Sequence, residues 1–329
     1  LNGNSVTNRL LVQSGPVGRP PTLNAATVTV TNADFADITG AGAGSWNLSL
    51  IAGGSGDALG NSGITFTTSA TQTWSGTAGG NWSANAWSGR VPLPQDDVVI
   101  SALFGATQTV TNDMPRLGRS ITWTVAVTNT PIWSFGTTTN TIYGGLTLIS
   151  GMTISGTQGT TFAARSAVNI TTGTRTFTQS MTFNGPSGTF TLQDATTTNS
   201  SITLTNGTLN TNGQTVSTSL ISSHNSNTRT LPLGASAITG TASCFQISST
   251  GLTFNANTSS ITCSGTGTFT GGGQTFNTVS FTGTSRTISD SNTFANLTRT
   301  GTATKTDSFT LAAGTTQTIT GTLTLNGNS

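Results

Sequence analysis

The chain has no glutamate, one lysine, one histidine and one tyrosine, and only 6% of its 329 residues are charged, against about 25% in an average soluble protein. Each shortage excludes something. Without glutamate, and with nine scattered aspartates, the paired carboxylates of glycoside hydrolysis are hard to assemble. The one histidine, His224, sits in a Ser- and Asn-rich loop, and no Gly-x-Ser-x-Gly elbow occurs, so no nucleophilic triad is expected. Ten arginines and one lysine offset the aspartates to a net charge of +2. They form no basic stripe of the kind nucleic acids require. No apolar run approaches the length that crosses a membrane as a helix. These absences predict no enzyme, no resident cofactor or metal, no nucleic-acid partner and no membrane insertion.

What is abundant is Thr, with Ser, Gly and Asn close behind. Thr, Val, Ile and Phe favour strands, while the helix formers Glu, Lys and Met are scarce. The expected class is all-β. No charged side chain occurs from Leu231 to Ser285 or from Ser120 to Ala164. So neutral a surface gives little repulsion between molecules, a liability in a soluble monomer and an advantage in a self-associating fibre. The composition is that of an exported structural protein.

From about Ile100 onward, short alternating runs are cut by Gly and Asn. Leu146-Thr-Leu-Ile149, Met181-Thr-Phe183, Ile202-Thr-Leu204, Ile261-Thr-Cys263 and Leu323-Thr-Leu325 are examples. The period of two points the apolar residues inward and Thr outward. The runs are short, and there are too many for one sandwich. A Gln-Thr-apolar phrase recurs at Gln214, Gln274 and Gln317. Those spacings suit stacked coils of roughly 20 residues. The expected fold is a right-handed parallel β-helix.

Leu325-Asn-Gly-Asn-Ser329 repeats Leu1-Asn-Gly-Asn-Ser5, which predicts one cycle of a tandem or end-to-end array. On that reading residues 1–70 hold the terminal coils and closing strand of one cycle. Residues 71–100 form a Trp-rich cap or junction, and residues 101–329 form the solenoid that continues into the next copy. The junction residues would be Leu1, Asn2, Leu323 and Leu325.

The stretch Trp74-Ser-Gly-Thr-Ala-Gly-Gly-Asn-Trp82, Ala86-Trp87-Ser-Gly-Arg90, Val91-Pro-Leu-Pro94 and Gln95-Asp-Asp-Val-Val-Ile100 resembles the opening of repeat-rich bacterial surface and secreted proteins with right-handed parallel β-helices. Similar texture occurs in phage fibres. The resemblance covers about thirty residues. It implies the start of a β-helix and an extracellular or cell-surface setting, or a virion fibre, and it brings no catalytic residue.

Candidate residues carry structural and functional readings side by side. Trp74, Trp82 and Trp87 suit a small core capping or joining solenoid segments; the alternative is a sugar-stacking platform, with glycans as partners. Pro92 and Pro94 belong to the resembling stretch and are expected to be structural, and the resemblance places Asp96 and Asp97 at a turn leading into the strand. Asp96 and Asp97 are adjacent, so on a strand they face opposite sides and cannot readily share a metal or substrate. At a turn an Asp bonds backbone N–H groups. The loop Gly53–Asp57, with Asp34 and Asp37, is a candidate for calcium, although the β-roll nonapeptide is incomplete. Cys244 and Cys263 are either small buried residues in neighbouring coils or a disulfide. Lys305 and Asp307 suit a surface ion pair, with an isopeptide bond as the alternative.

The function expected is that of a structural segment of an extracellular filament, assembling end to end with further copies of itself. A phage fibre or spike and a glycan-binding adhesin are the alternatives.

Overall fold

A computed structural model describes residues 1–76, 78–84, 86–101, 108–124, 130–136, 138–303 and 306–327. Among them there are strands, bridges and turns but no helix. Strands pair in parallel, coil upon coil, as a β-solenoid of about 14 turns of roughly 22 residues, slightly longer than the expected coil. The chain divides into two compact units, Leu1–Ser166 and Ala167–Ser329.

The first unit holds two stacks. In the first, Leu10–Gln13, Ala33–Ala36 and Ser55–Asp57 form one parallel sheet, and Thr22–Asn24 pairs with Thr39–Ala41. Val30, Ala33, Phe35, Ile38, Trp46 and Leu48 fill the interior. In the second stack each turn contributes strands to two sheets. The chain passes from Asp97–Ile100 to Thr109–Asn112 and Arg116–Gly118, then returns at Ile121–Trp123 beside the starting strand.

The two stacks lie side by side. Ala33 and Phe35 point into the first core, so the alternation of a strand sends the Asp34 side chain between them outward. Asp34 is nevertheless fully buried, because the second stack covers it. Its carboxylate receives Arg9 Nε at 2.7 Å and Arg116 Nε at 2.6 Å. Gln95 ties the stacks further, accepting from Asp57 N and donating to Ser55 O and Thr67 O. Gly56 fits here because a Cβ would lie 2.0 Å from Asp34 Oδ1 and 2.8 Å from Pro94 Cδ.

The second unit shows in-register stacking most fully. Val216, Ile238, Ile261, Val279, Leu297 and Leu323 follow one another in register through six coils. All but Leu323 are buried. The next residue outward on each strand forms a hydroxyl row: Ser217, Thr239, Thr262, Ser280, Thr298 and Thr324. Alternation expected from sequence thus becomes two parallel rows, one dry and one wet. Of the glutamine phrases, Gln274-Thr-Phe276 and Gln317-Thr-Ile319 are in register through Asn292-Thr-Phe294. Gln214 is not, since Val216 aligns with Val279 instead.

Several strands are longer than the sequence suggests. Met181–Leu192 has 12 residues and Ala237–Ile247 has 11. They turn a corner without leaving the sheet, and the register shifts at the bend between Phe183 and Thr189. A bulge bends a strand while keeping it paired.

Cys244 and Cys263 are joined by a disulfide, with Cα atoms 5.5 Å apart and a sequence separation of 19. The register partner of Cys263 is Gly240, not Cys244. The sulfur of Cys244 fills the space above Gly240, where a Cβ would lie 2.5 Å from Cys244 Sγ. Bridging a loop of this size restricts the unfolded chain and stabilises by about 3 kcal/mol. The double substitution C244S/C263S should therefore lower the free energy of unfolding by that amount, read as a lower midpoint of chemical denaturation. A midpoint equal to that of the oxidised wild type would show that the bridge contributes nothing.

Candidate functional site

Trp74, Trp82 and Trp87 are buried together, with exposures of 1%, 0% and 6%. The ring of Trp87 lies 4.9 Å from each of the other two. The cluster extends to Trp133, Trp123 and Phe135, which the sequence reading did not single out. The strands Gly80–Asn81, Thr109–Asn112 and Ile132–Phe135 carry this core from coil to coil. Trp87 Nε1 donates to Trp82 O, and Trp133 Nε1 donates to Asn112 Oδ1. Their indole faces are spent on one another and offer no open platform to a sugar.

Pro92, Leu93 and Pro94 are buried at the turn before Asp97–Ile100. Asp96 organises that turn. It accepts Ala70 N and Leu93 N, and it takes Arg90 Nε and Nη2 at 2.9 and 2.6 Å. Asp97 faces the other way, as adjacent strand residues must. It pairs with Arg119 at the surface, and the hydrogen bond from that guanidinium holds its carboxyl below the usual range.

The remaining carboxylates follow the same pattern. Asp37 accepts Gly18 N and Arg165 Nη2, Asp57 accepts Leu59 N, and Asp113 accepts Ser83 N. Asp194 takes the N–H groups of Thr172 and Thr174, Asp290 that of Gly272, and Asp307 that of Thr302. All nine aspartates thus clamp an arginine or a backbone N–H. No group of three His, Cys, Asp or Glu residues able to hold a metal ion occurs among the described residues. Lys305, paired on paper with Asp307, lies outside the described residues, while Asp307 itself faces Arg299.

Three arginines of the second unit do work the sequence reading missed. Arg229 donates to the carbonyls of Ser223, Asn227 and Thr250. Arg286 donates to those of Ala242, Ser243 and Gly265, with its guanidinium 5.5 Å from the Phe281 ring centre. Arg299 donates to those of Phe281, Thr284 and Thr300. Burial pushes Arg286 down to about 10, with repulsion from Arg299 adding to it. Each guanidinium gathers carbonyls from neighbouring coils. The only sequence signal is that each is followed by Thr: Arg229-Thr, Arg286-Thr and Arg299-Thr.

The residues expected at a junction lie at two open edges. Leu1–Gly3 pairs with the backbone around Thr31. Leu1, 48% exposed, borders an open cavity of about 600 Å³ lined also by Leu23, Val28, Val30 and Trp46. In the second unit, Thr318–Asn326 pairs with Thr293–Thr300 along one edge. Leu311, Leu323 and Leu325 there are 51%, 50% and 60% exposed, although their register partners Ile288, Leu297 and Arg299 are buried. Among the described residues no further coil covers these positions.

Comparison with family models, with curated proteins and with solved structures returned no match. The fold part of the resemblance noted above agrees with the structure; the bacterial-surface and phage settings gain nothing from these comparisons.

The Asp34 clamp gives a direct test of the two-stack arrangement. Substituting Asp34→Asn leaves Arg9 and Arg116 charged, buried and unpaired. Breaking a buried pair in this way costs about 3–5 kcal/mol. The D34N chain should unfold at a clearly lower denaturant concentration, and wild-type stability would show that the clamp carries no load.

Proposed function

We propose that this chain is a structural β-solenoid segment of an extracellular filament, and that copies associate end to end through their open coils. The observation that carries the reading is in-register stacking that buries each coil's interior residues under the next, while Thr318–Asn326 pairs on one side among the described residues. A paired but uncovered edge strand is a template for another strand. The opposing element is the first coil, with its apolar cavity beside Leu1. An association of two different surfaces is head-to-tail and propagates if it does not close on itself.

Three further features support a mechanical role. Every aspartate is committed to holding the fold, the tryptophans are sealed in a core, and charge is almost absent from the surface composition. The extracellular setting rests on that composition and on the disulfide, which persists in oxidising compartments.

Sedimentation velocity and negative-stain electron microscopy test the reading. The wild-type chain should form linear oligomers that lengthen with concentration. Substituting Leu323→Lys and Leu325→Lys together places charge on the open edge and should leave monomers, with the circular dichroism of the solenoid unchanged. A wild-type chain that stays monomeric at every concentration, or a double variant that assembles normally, would overturn it.

A further inference from the structure

A second cavity of the first unit, about 410 Å³ in volume, lies where its two stacks meet. Leu50, Ile51, Gly53 and Gly54 reach it from a loop of the first stack. Arg90, Val91 and Leu93 reach it from the turn that leads into the second. Gly53 and Gly54 both have positive φ, at 72° and 69°, so this part of the wall is bare backbone. A Cβ on Gly54 would lie 3.1 Å from Leu93 Cδ1, which shows how closely the two loops approach.

Nearly every polar side chain lining the cavity is already engaged. Arg9 donates to Asp34 Oδ1 and to the carbonyls of Ala33, Gly53 and Gly54. Thr67 Oγ1 accepts Ser55 N and donates to Ser49 O, and Ser49 Oγ donates to Asn47 Oδ1. Arg90 differs. Its Nε and Nη2 hold Asp96 and Thr68 O, while Nη1 makes no hydrogen bond among the described residues. The side chain is 32% exposed. The charges around the cavity have a sign as well. Arg9 and Arg116 share Asp34, and Arg90 holds Asp96, so three guanidiniums face two carboxylates. One positive charge is in excess, and Arg90 is the group with a donor to spare.

We propose that this cavity binds a small aliphatic carboxylate. The ligand's carboxylate accepts a charge-assisted hydrogen bond from Arg90 Nη1, and its alkyl chain lies against Leu50, Ile51, Val91 and Leu93. Small-molecule pockets run from about 300 Å³ upward and are mostly apolar with a few placed polar groups. An apolar cavity of about 150 Å³ takes benzene, so this one has room for a chain of about eight carbons. A sugar fits poorly, because its several hydroxyls would meet a single free donor among the side chains. The site lies within the first unit and does not depend on association between copies.

Isothermal titration calorimetry of the full chain with sodium octanoate, below its micellar range, tests the proposal. Octanoate should saturate one site, and affinity should rise about fourfold per methylene from butanoate to octanoate. Octanol, equal in length but uncharged, should bind at least tenfold more weakly. Leu50→Asp sets a carboxylate at the mouth, and because Leu50 is almost fully exposed the fold is undisturbed. Arg90→Lys keeps a cation for Asp96 but removes the planar fork that leaves one nitrogen free. Each variant should weaken octanoate binding at least tenfold, with circular dichroism unchanged; if R90K does not fold, L50D alone decides. No saturable binding of octanoate, octanol binding as tightly as octanoate, or either folded variant binding like the wild type would overturn the site.

Discussion

Parallel hydrogen bonding between successive coils is the constraint on which the rest of this structure depends. Each coil satisfies its backbone with the coil before and the coil after, so residues one turn apart are held in register. With apolar and polar residues alternating along a strand, register converts alternation into rows: Val216 to Leu323 inside, Ser217 to Thr324 outside. Coil length is free to vary, because the loops absorb the difference while the rows stay aligned. The same constraint leaves the last described coil unsatisfied. Its interior leucines are half exposed because in a solenoid a coil is buried only by its neighbour.

Charge is scarce, and where it occurs it serves the backbone. Between strands the backbone N–H and C=O groups need partners other than the ladder. Burying such groups unpaired is costly. Aspartate collects the stranded N–H groups, as Asp96 and Asp194 do. Arginine collects carbonyls from neighbouring coils, as Arg229, Arg286 and Arg299 do. A planar guanidinium with five donors is suited to this, whereas a lysine ammonium presents a single charged point. The arrangement leaves an almost uncharged exterior of Thr, Ser and Asn, compatible with close approach of further copies.

Much of the fold was legible because period-two alternation is local. Runs such as Met181-Thr-Phe183 and Ile202-Thr-Leu204 name their inward residues without reference to any partner. The tryptophan cluster was legible as a core through its density in the sequence, but Trp123 and Trp133 were not, since they arrive from later coils. The carboxylate turn at Asp96 was readable from its place before a strand; its partner Arg90, six residues earlier, was not. Val28-Thr-Val30 reads as a strand, yet it is irregular and lines the open cavity. Strand lengths were underestimated, since a bulged strand that bends within the sheet has the same composition as two strands separated by a turn.

The sequence by itself determined the all-β class, the inward and outward faces of most strands, and the identity of the two Leu-Asn-Gly copies. All of these follow from residue type and near-neighbour spacing. Tertiary structure alone decided that residues near the start coil into a separate stack, pinned through the buried Asp34 between Arg9 and Arg116. It alone joined Cys244 to Cys263 across the register and assigned arginines to stray carbonyls. These depend on which residues meet across one or more turns of chain, and that is set by coil lengths and corners that no local pattern encodes.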